Sequence, residues 1–478
     1  MKKKDIVRVS FIGNNAENVT GSCTRIEFRE QVILFDFGLI QQGNTILENY
    51  KLNKSFLRTV RPSEIDAIII SHLHADHVAL LPWLYKNGCT AATYVALNSS
   101  SIMNEMLLDC AHINERDAET LTNMYEKKFD PLYTACDVEK TMQYVREVPE
   151  HEKTNILDGV DITFIPNGHI LRSMQCTITF DTQPVNKRLT FTGDLGNLTT
   201  LKSKYYIEPF ESIEKTDYLI AESTYGLNSR NNKKDYKKDI EKIKSVITQF
   251  CGDMNGRVLI PTFSLDRMPF FMSLLYDSFH NDPDFKYNIY IDSPLANRLL
   301  NCYSAILSGE KKQHFDEVMA WKNFKYIVSP EDSIAAIKSP TPKVILSSSG
   351  MLTQGRSVHW LKSVITRPND CVCFCGYCGK DTLGYKIKNN QMHKTVNIQG
   401  KAYKNNAAII DLKSFSGHMQ HQDLVQYYSH ISAKKIYLVH GDADAKLQLK
   451  EDLETELHKQ CRTTQVVATN KSTSFTIQ

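Results

Sequence analysis

Ile70-Ser71-His72-Leu73-His74-Ala75-Asp76-His77-Val78 is the stretch of this 478-residue chain that decides its fold. An apolar run precedes it, so a predicted strand leads directly into three histidines and one aspartate. In an extended backbone His72, His74 and Asp76 would project to one side, because side-chain direction alternates along a strand. His77 could turn back from the segment that follows. The stretch therefore places four metal-capable side chains close together.

Neutral imidazoles and a carboxylate are the ligands that Zn²⁺ prefers where it keeps an open position for chemistry. Four such ligands exceed what one ion of this kind needs, so the stretch predicts halves of two adjacent metal sites. The alternative is a surface histidine cluster without a function.

Three later strand ends carry further metal-capable residues. His169, Asp194 and His440 each follow an apolar run and a turn that contains or adjoins a glycine. Taken singly, each could be a hydrogen-bonded buried histidine or a helix-capping aspartate. Taken with the first cluster, they predict two complete sets of ligands.

This pattern resembles the metallo-β-lactamase superfamily, whose mark is His-x-His-x-Asp-His followed by a histidine, an aspartate and a final histidine. The resemblance implies an α/β fold, the αββα sandwich of that superfamily, and two Zn²⁺ per chain. It implies one zinc on His72, His74 and His169, a second on Asp76, His77 and His440, and Asp194 as the bridge between them. Asp36, in Leu34-Phe35-Asp36-Phe37-Gly38, matches the first motif of the superfamily, where the carboxylate orients a ligand.

A long stretch of chain separates Asp194 from His440, more than a minimal two-metal fold requires. From about Tyr218 strands alternate with amphipathic helices, which is typical of a mostly parallel sheet. We therefore expect a metallo-β-lactamase domain over residues 1–210, an inserted α/β domain over 211–395, and a return to the first domain over 396–478. Within the first part we expect helices over Ser99–Tyr125 and Cys136–Val148.

The insert resembles that of the β-CASP nucleases. Ala221–Gly226, with Glu222, is similar to their motif A, Phe415-Ser416-Gly417-His418 to motif B, and Val439–Asp442 to motif C. The resemblance covers about residues 7–453, and its layout is similar to prokaryotic relatives of the nuclease subunit of the cleavage and polyadenylation specificity factor. Met419-Gln420 after motif B and Asn197 after Asp194 depart from the family pattern.

The resemblance implies a metal-dependent ribonuclease that cuts single-stranded RNA internally. Asp76 would also orient the attacking nucleophile, His418 would protonate the leaving 3′ oxygen, and Glu222 would hold His418. Arg356 and Lys380 are weaker predictions for contacts with backbone phosphates. The open alternatives are a DNA nuclease, a 5′–3′ exoribonuclease, a non-catalytic scaffold and a small-molecule hydrolase.

Composition alone does not identify a function. The net charge is +3, which neither supports nor excludes a nucleic-acid substrate. No apolar run of about 20 residues could span a membrane and no signal peptide is visible, so we expect a cytoplasmic protein. The twelve cysteines are expected to be reduced thiols, with Cys371, Cys373 and Cys375 on one face of a buried strand and Cys375-x-x-Cys378 as an alternative metal or redox site. A homodimer is left open.

Overall fold

The structure is a computed structural model that describes residues 5–43, 45–196, 201–227, 235–376, 378–379, 382–389 and 394–477. The chain divides into two compact units. The first unit takes in residues 1–203, 207–231 and 418–478, and the second takes in residues 204–206 and 232–417.

The strands numbered below as β1–β11 and β20–β22 belong to the first unit, and β12–β19 belong to the second. The strands are β1 Val7–Phe11, β2 Thr24–Phe28, β3 Gln31–Phe35, β4 Ala67–Ile69, β5 Ala92–Ala96, β6 Val145–Val148, β7 Thr154–Leu157, β8 Val160–Pro166, β9 Met174–Phe180, β10 Lys187–Phe191, β11 Tyr218–Glu222, β12 Arg257–Pro261, β13 Asn288–Asp292, β14 Phe324–Tyr326, β15 Lys343–Ser347, β16 Cys371–Phe374, β17 Thr395–Ile398, β18 Lys401–Lys404, β19 Ala408–Asp411, β20 Lys435–Val439, β21 Gln465–Ala468 and β22 Ser474–Ile477.

Helices alternate with these strands along the whole chain. They are α1 Ile46–Leu57, α2 Ala75–Val78, α3 Leu81–Lys86, α4 Ser100–Tyr125, α5 Ala135–Met142, α6 Leu201–Tyr205, α7 Tyr236–Ile247, α8 Arg267–Phe279, α9 Pro294–Ile306, α10 Gly309–Ala320, α11 Pro330–Lys338, α12 Arg356–Val364, α13 Leu383–Lys388, α14 His421–His430 and α15 Ala443–Lys459. A 3-10 turn, Pro62–Glu64, and a π-helical turn, Thr248–Asp253, complete them.

Two seven-stranded sheets form the first unit. One has the order β22-β1-β2-β3-β4-β5-β6 and the other β21-β20-β11-β10-β9-β8-β7. Each sheet is antiparallel at one end and parallel at the other. In the first sheet the strands β3, β4, β5 and β6 are parallel neighbours. In the second sheet the parallel neighbours are β10, β11, β20 and β21.

A hydrophobic core joins the facing sides of these two sheets. Phe35 of β3 stacks on Phe191 of β10 with ring centroids 3.7 Å apart, and Phe28 packs against Phe180 at 5.2 Å. On the outer side of the second sheet, α14 and α15 bury Leu424 and Leu453 against the strands. The predicted sandwich of two sheets around one core is therefore confirmed.

The second unit is built on a six-stranded parallel sheet with the order β14-β13-β15-β12-β16-β19, and a separate hairpin, β17-β18. The central strands are buried along their whole length, as expected of a parallel sheet with both faces covered. The predicted inserted α/β fold is confirmed.

The predicted helix Cys136–Val148 is wrong in its second half. Helix α5 ends at Met142, and Val145–Val148 form strand β6 at the edge of the first sheet. This four-residue strand is too short for its alternation to be distinguished from helical periodicity, and its pairing with β5 decides the outcome. In the described residues, no helix is long and apolar enough to cross a membrane.

Candidate metal centre

The ligand-rich stretch lies at a junction between a strand and a helix. Strand β4 ends at Ile69, and the chain continues through a loop into α2, whose N-cap is His74. The prediction that Asp76 projects from extended backbone is therefore wrong. Asp76 and His77 lie in a helical turn, and the His77 N–H donates to the His74 carbonyl at 2.9 Å. This turn, and not strand alternation, sets where the two side chains point.

A first group of ligand atoms comes from His72, His74, His169 and Asp194, which lie within 4.8 Å of one another. Nδ1 of His74 lies 3.1 Å from Nε2 of His72 and 3.2 Å from Nε2 of His169. Oδ2 of Asp194 lies 3.6 Å from Nε2 of His72. The loops after β4, β8 and β10 thus meet at one point of the first unit.

A second group comes from Asp76, His77 and His440, again within 4.8 Å of one another. Nε2 of His440 lies 3.4 Å from Nε2 of His77 and 3.4 Å from Oδ2 of Asp76. His440 directly follows β20, in left-handed backbone with φ of 54°. The structure therefore brings together all seven residues that the sequence predicted as ligands.

Asp194 lies beside both groups. Its Oδ2 faces His72, and its Oδ1 lies 3.5 Å from Nε2 of His77. The side chain is buried, and among the described residues Oδ1 accepts no hydrogen bond. An unsatisfied buried carboxylate oxygen is costly unless a cation or donor meets it. Imidazole nitrogens and carboxylate oxygens are the donors of zinc sites, so these residues fit a metal centre.

The buried carboxylates of the site attract positive charge, which protons on its histidines or a metal ion can supply. Burial and the neighbouring imidazoles, His77 first, hold the pKa of His72 well below its usual range, which leaves it in the neutral form that binds metals. Burial would raise the pKa of Asp76, but the charges of His77 and His440 lower it, so it is a carboxylate. Burial would lower the pKa of His77, but Asp194, Asp36 and Asp76 raise it to about 10.

Asp36 lies behind His77, where the sequence predicted an orienting carboxylate. Its Oδ2 accepts a hydrogen bond from Nδ1 of His77 at 2.7 Å, which leaves Nε2 to face the second group. Ser71 was not predicted. Its N–H and hydroxyl donate to the two oxygens of Asp36 at 2.8 and 3.0 Å, and its hydroxyl lies 3.0 Å from Nδ1 of His72. Ser71 therefore connects His72 of the first group to Asp36, which holds His77 of the second group.

Two more supporting residues escaped the sequence analysis. Oδ1 of Asn167 accepts from the N–H of His169 at 3.1 Å, and its Nδ2 donates to the Thr192 carbonyl at 3.1 Å. The hydroxyl of Thr224 lies 3.0 Å from Nδ1 of His440 and donates to the His440 carbonyl at 3.1 Å. Asn167 lies two residues before His169, and Thr224 lies within motif A, but nothing in the sequence shows which atoms a short polar side chain will meet.

His418 and Glu222 form a pair next to the ligands. Nδ1 of His418 lies 3.2 Å from both carboxylate oxygens of Glu222, and its ring centroid lies 4.7 Å from that of His169. Glu222 is buried and also accepts from the Leu195 N–H at 2.6 Å. Burial would raise the pKa of Glu222, but the charge and hydrogen bond of His418 lower it, so the carboxylate is ionised.

Other predicted residues have different outcomes. Arg356 does not present a free charge, because its guanidinium pairs with the buried carboxylate of Asp292 at 2.8 Å. Met419 is a core residue, fully buried against α14 and α15, and its N–H donates to the Leu195 carbonyl. Lys380 and Asn197 lie outside the described residues.

The cysteines behave as free thiols. All twelve are unbridged, and Cys371 and Cys373 lie on buried strand β16, but Cys375 was expected on the same strand and instead lies just beyond its end, where it is also buried. Among the described residues, Cys375 and Cys378 do not belong to any group of three potential metal ligands.

Three family models match successive parts of the chain. They describe the metallo-beta-lactamase superfamily, over residues 17–110, the Beta-Casp domain, over 271–387, and the Zn-dependent metallo-hydrolase RNA specificity domain, over 403–464. The first model includes the ligand-rich stretch, and the third includes His418 and His440.

Curated relatives match along nearly the whole chain. Ribonuclease TTHA0252 of Thermus thermophilus is 27% identical, over 91% of this chain and 93% of its own length. Transcription termination factor FttA of Methanocaldococcus jannaschii is 26% identical, over 95% and 70%. Cleavage and polyadenylation specificity factor 73 of Drosophila melanogaster is 25% identical, over 95% and 63%. A crystal structure of an Enterococcus faecalis protein of unknown function shares the fold, with a TM-score of 0.56, 12% identity, and coverage of 99% of this chain and 100% of that one.

Proposed function

We propose a function for this chain from the family to which it belongs, the β-CASP nucleases of the metallo-β-lactamase superfamily. It is a two-zinc endoribonuclease that hydrolyses phosphodiester bonds of single-stranded RNA. The names of its relatives support RNA as the substrate, since one is a ribonuclease and others act in transcription termination or polyadenylation. Two groups of ligand atoms, joined at Asp194, support two ions in place of one.

The observation that carries this proposal is the His418–Glu222 pair beside the ligand groups. Hydrolysis of a phosphodiester forms a bond from a water oxygen to phosphorus and breaks the bond from phosphorus to the 3′ oxygen. When bound, Zn²⁺ supplies Lewis-acid charge that offsets the negative charge of the phosphate. The chain itself must orient the attacking water and deliver a proton to the leaving oxygen.

His418 is suited to deliver that proton. The buried carboxylate of Glu222 accepts from Nδ1, so the proton that His418 exchanges with a substrate is the one on Nε2. The imidazolium form of His418 is the proton donor. Asp76 is suited to the other task, because its side chain is a partly exposed carboxylate, 21% accessible, at the edge of the second group. It orients the attacking water.

Cleavage of an internally labelled single-stranded RNA tests the proposal. We expect internal fragments with 5′-phosphate and 3′-hydroxyl ends, about two zinc ions per chain, and loss of both cleavage and part of the metal in Asp76→Ala. Fragments that shorten only from the 5′ end would indicate an exoribonuclease, and cleavage of single-stranded DNA at an equal rate would overturn the preference for RNA. A metal-loaded chain that cuts neither polymer would contradict assignment of the chain as a nuclease.

Light scattering of the same preparation measures its molecular mass and so tests whether the chain forms a homodimer.

His418→Ala separates proton donation from metal binding. We expect cleavage to slow by about 10² to 10⁴-fold with the zinc content unchanged. The limb of the pH–rate profile that reports the acid should also disappear. His112→Ala is the matched control, because His112 is an exposed histidine on α4 of the same unit. An unchanged pH profile in His418→Ala would assign His418 a structural role.

A further inference from the structure

One surface of the second unit carries positive charge without acidic neighbours in sequence. Between Thr382 and Ile410 there are five lysines and neither aspartate nor glutamate, although the whole chain has 57 basic and 54 acidic residues. Three of these lysines, Lys394, Lys401 and Lys404, lie on or next to the hairpin β17-β18. We call residues 394–404 the basic hairpin.

The strand register places the charges at both ends of the basic hairpin. Lys404 pairs with Thr395, and the Asn405 N–H donates to the Lys394 carbonyl at 2.9 Å, so Lys394 and Lys404 both lie at the open end, on opposite faces of the hairpin. Lys401 stands next to the turn, with Nζ 5.9 Å from the ring centroid of Tyr403. All three lysines are exposed, and no carboxylate of the described part of the chain lies within 4.0 Å of their ammonium groups.

The basic hairpin is held in place from one side only. Val396 and Ile398 are buried in the core of the second unit, which fixes the hairpin to the parallel sheet and its helices. The opposite side chains of β17, Thr395 and Asn397, are exposed. Lys404 is paired with Thr395 and shares this face, which therefore combines ammonium, amide and hydroxyl groups that can donate hydrogen bonds, whereas Lys401 extends from the other face beside Tyr403.

Each of the three lysines is paired across the hairpin with an uncharged residue, so their charges attract an anion without a carboxylate neighbour to offset them. We propose that the basic hairpin is a binding surface for the phosphate backbone of single-stranded RNA, distinct from the residues of the metal centre. This inference rests on the proposed function, because it is the RNA substrate that supplies the polyanion. Lysine ammonium groups bind phosphates as point charges without reading bases, so the surface contributes affinity and not sequence preference.

Equilibrium binding of a fluorescent single-stranded RNA over a series of salt concentrations tests the inference. The full chain carrying Asp76→Ala is used as the parent, so that the RNA is not cut. Each phosphate neutralised on a single strand contributes about −0.7 to the slope of log affinity against log salt. We expect K394Q/K401Q/K404Q to make the slope shallower by about 2 and to weaken binding by about tenfold at low salt.

K127Q/K128Q/K153Q is the matched control, since it removes three exposed lysines from the first unit. It should leave the salt slope within error of the parent. A hairpin variant with the thermal midpoint of the parent and an unchanged slope would overturn the inference while leaving the proposed function intact. A parent chain that binds no RNA would overturn both.

Discussion

Asn167 shows how much of the metal centre depends on a residue that touches no ligand atom. Its side chain is fully buried and connects the loop that carries His169 to the loop that carries Asp194. Oδ1 accepts from the His169 N–H, Nδ2 donates to the Thr192 carbonyl, and the Asn167 carbonyl accepts from the Gly196 N–H at 2.9 Å. Two ligands contributed by different strands are thereby held in one geometry.

Asn167→Ala should weaken zinc binding by about 10- to 100-fold, the usual effect of removing a group that orients a ligand. It should also lower the free energy of unfolding by about 2–4 kcal/mol, because a buried N–H and a buried carbonyl lose their partner. Competition with a chromophoric chelator measures the affinity, and thermal unfolding measures the stability. Asn87→Ala, which removes an exposed asparagine at the end of α3, is the control. Wild-type zinc affinity in Asn167→Ala would show that the loops carrying His169 and Asp194 keep their positions without the hydrogen bonds of Asn167.

At the scale of elements, α2 is positioned by the loop that follows β3. The Phe37 N–H donates to the His77 carbonyl at 2.7 Å and the Leu39 N–H to the Ala75 carbonyl at 2.9 Å. Between them, Gly38 approaches so closely that a Cβ would lie 1.6 Å from the Asp76 carbonyl oxygen. Backbone cannot move aside like a flexible side chain, so any larger residue at position 38 must displace α2.

Gly38→Ala should therefore destabilise the chain by about 3 kcal/mol and reduce its zinc content, because Asp76 and His77 move with α2. Gly376→Ala is the control, since a Cβ at Gly376 meets nothing within 4 Å. Differential scanning calorimetry and metal analysis of both variants provide the measurements. Equal zinc content in the two variants would show that α2 accommodates the methyl group without moving its ligands.

The elements also show what a sequence can predict about this site. Apolar runs that end in histidine or aspartate are visible in sequence, and they led to all seven residues that the structure brings together. The course of the chain between His72 and His77 was not predictable, because a four-residue helix has no periodicity of its own. The supporting roles of Ser71, Asn167 and Thr224 were not predictable either, because packing of the surrounding segments decides which atoms their side chains meet.

For the whole molecule, the position of the ligands in the chain has a consequence for stability. They come from segments between His72 and His440, and all belong to the first unit, although the second unit interrupts that unit in sequence. A metal ion bound by these ligands would connect the ends of β4, β8, β10 and β20, and no single segment supplies a complete set of ligands. The two units have separate hydrophobic cores, so stabilisation by metal should be confined largely to the first.

Hydrogen–deuterium exchange with and without a zinc chelator tests this expectation. A ligand at 100 times its dissociation constant stabilises the state that binds it by about 2.7 kcal/mol, so exchange through openings that release zinc should slow by about 100-fold when metal is bound. We expect this protection in peptides covering residues 70–78, 167–175, 192–196 and 436–441, and none in β12 or β15 of the second unit. Asp76→Ala should show a smaller difference between the two conditions, because one ligand group is incomplete. Equal protection of both units would mean that they unfold together, and that metal affinity is set by the stability of the entire chain.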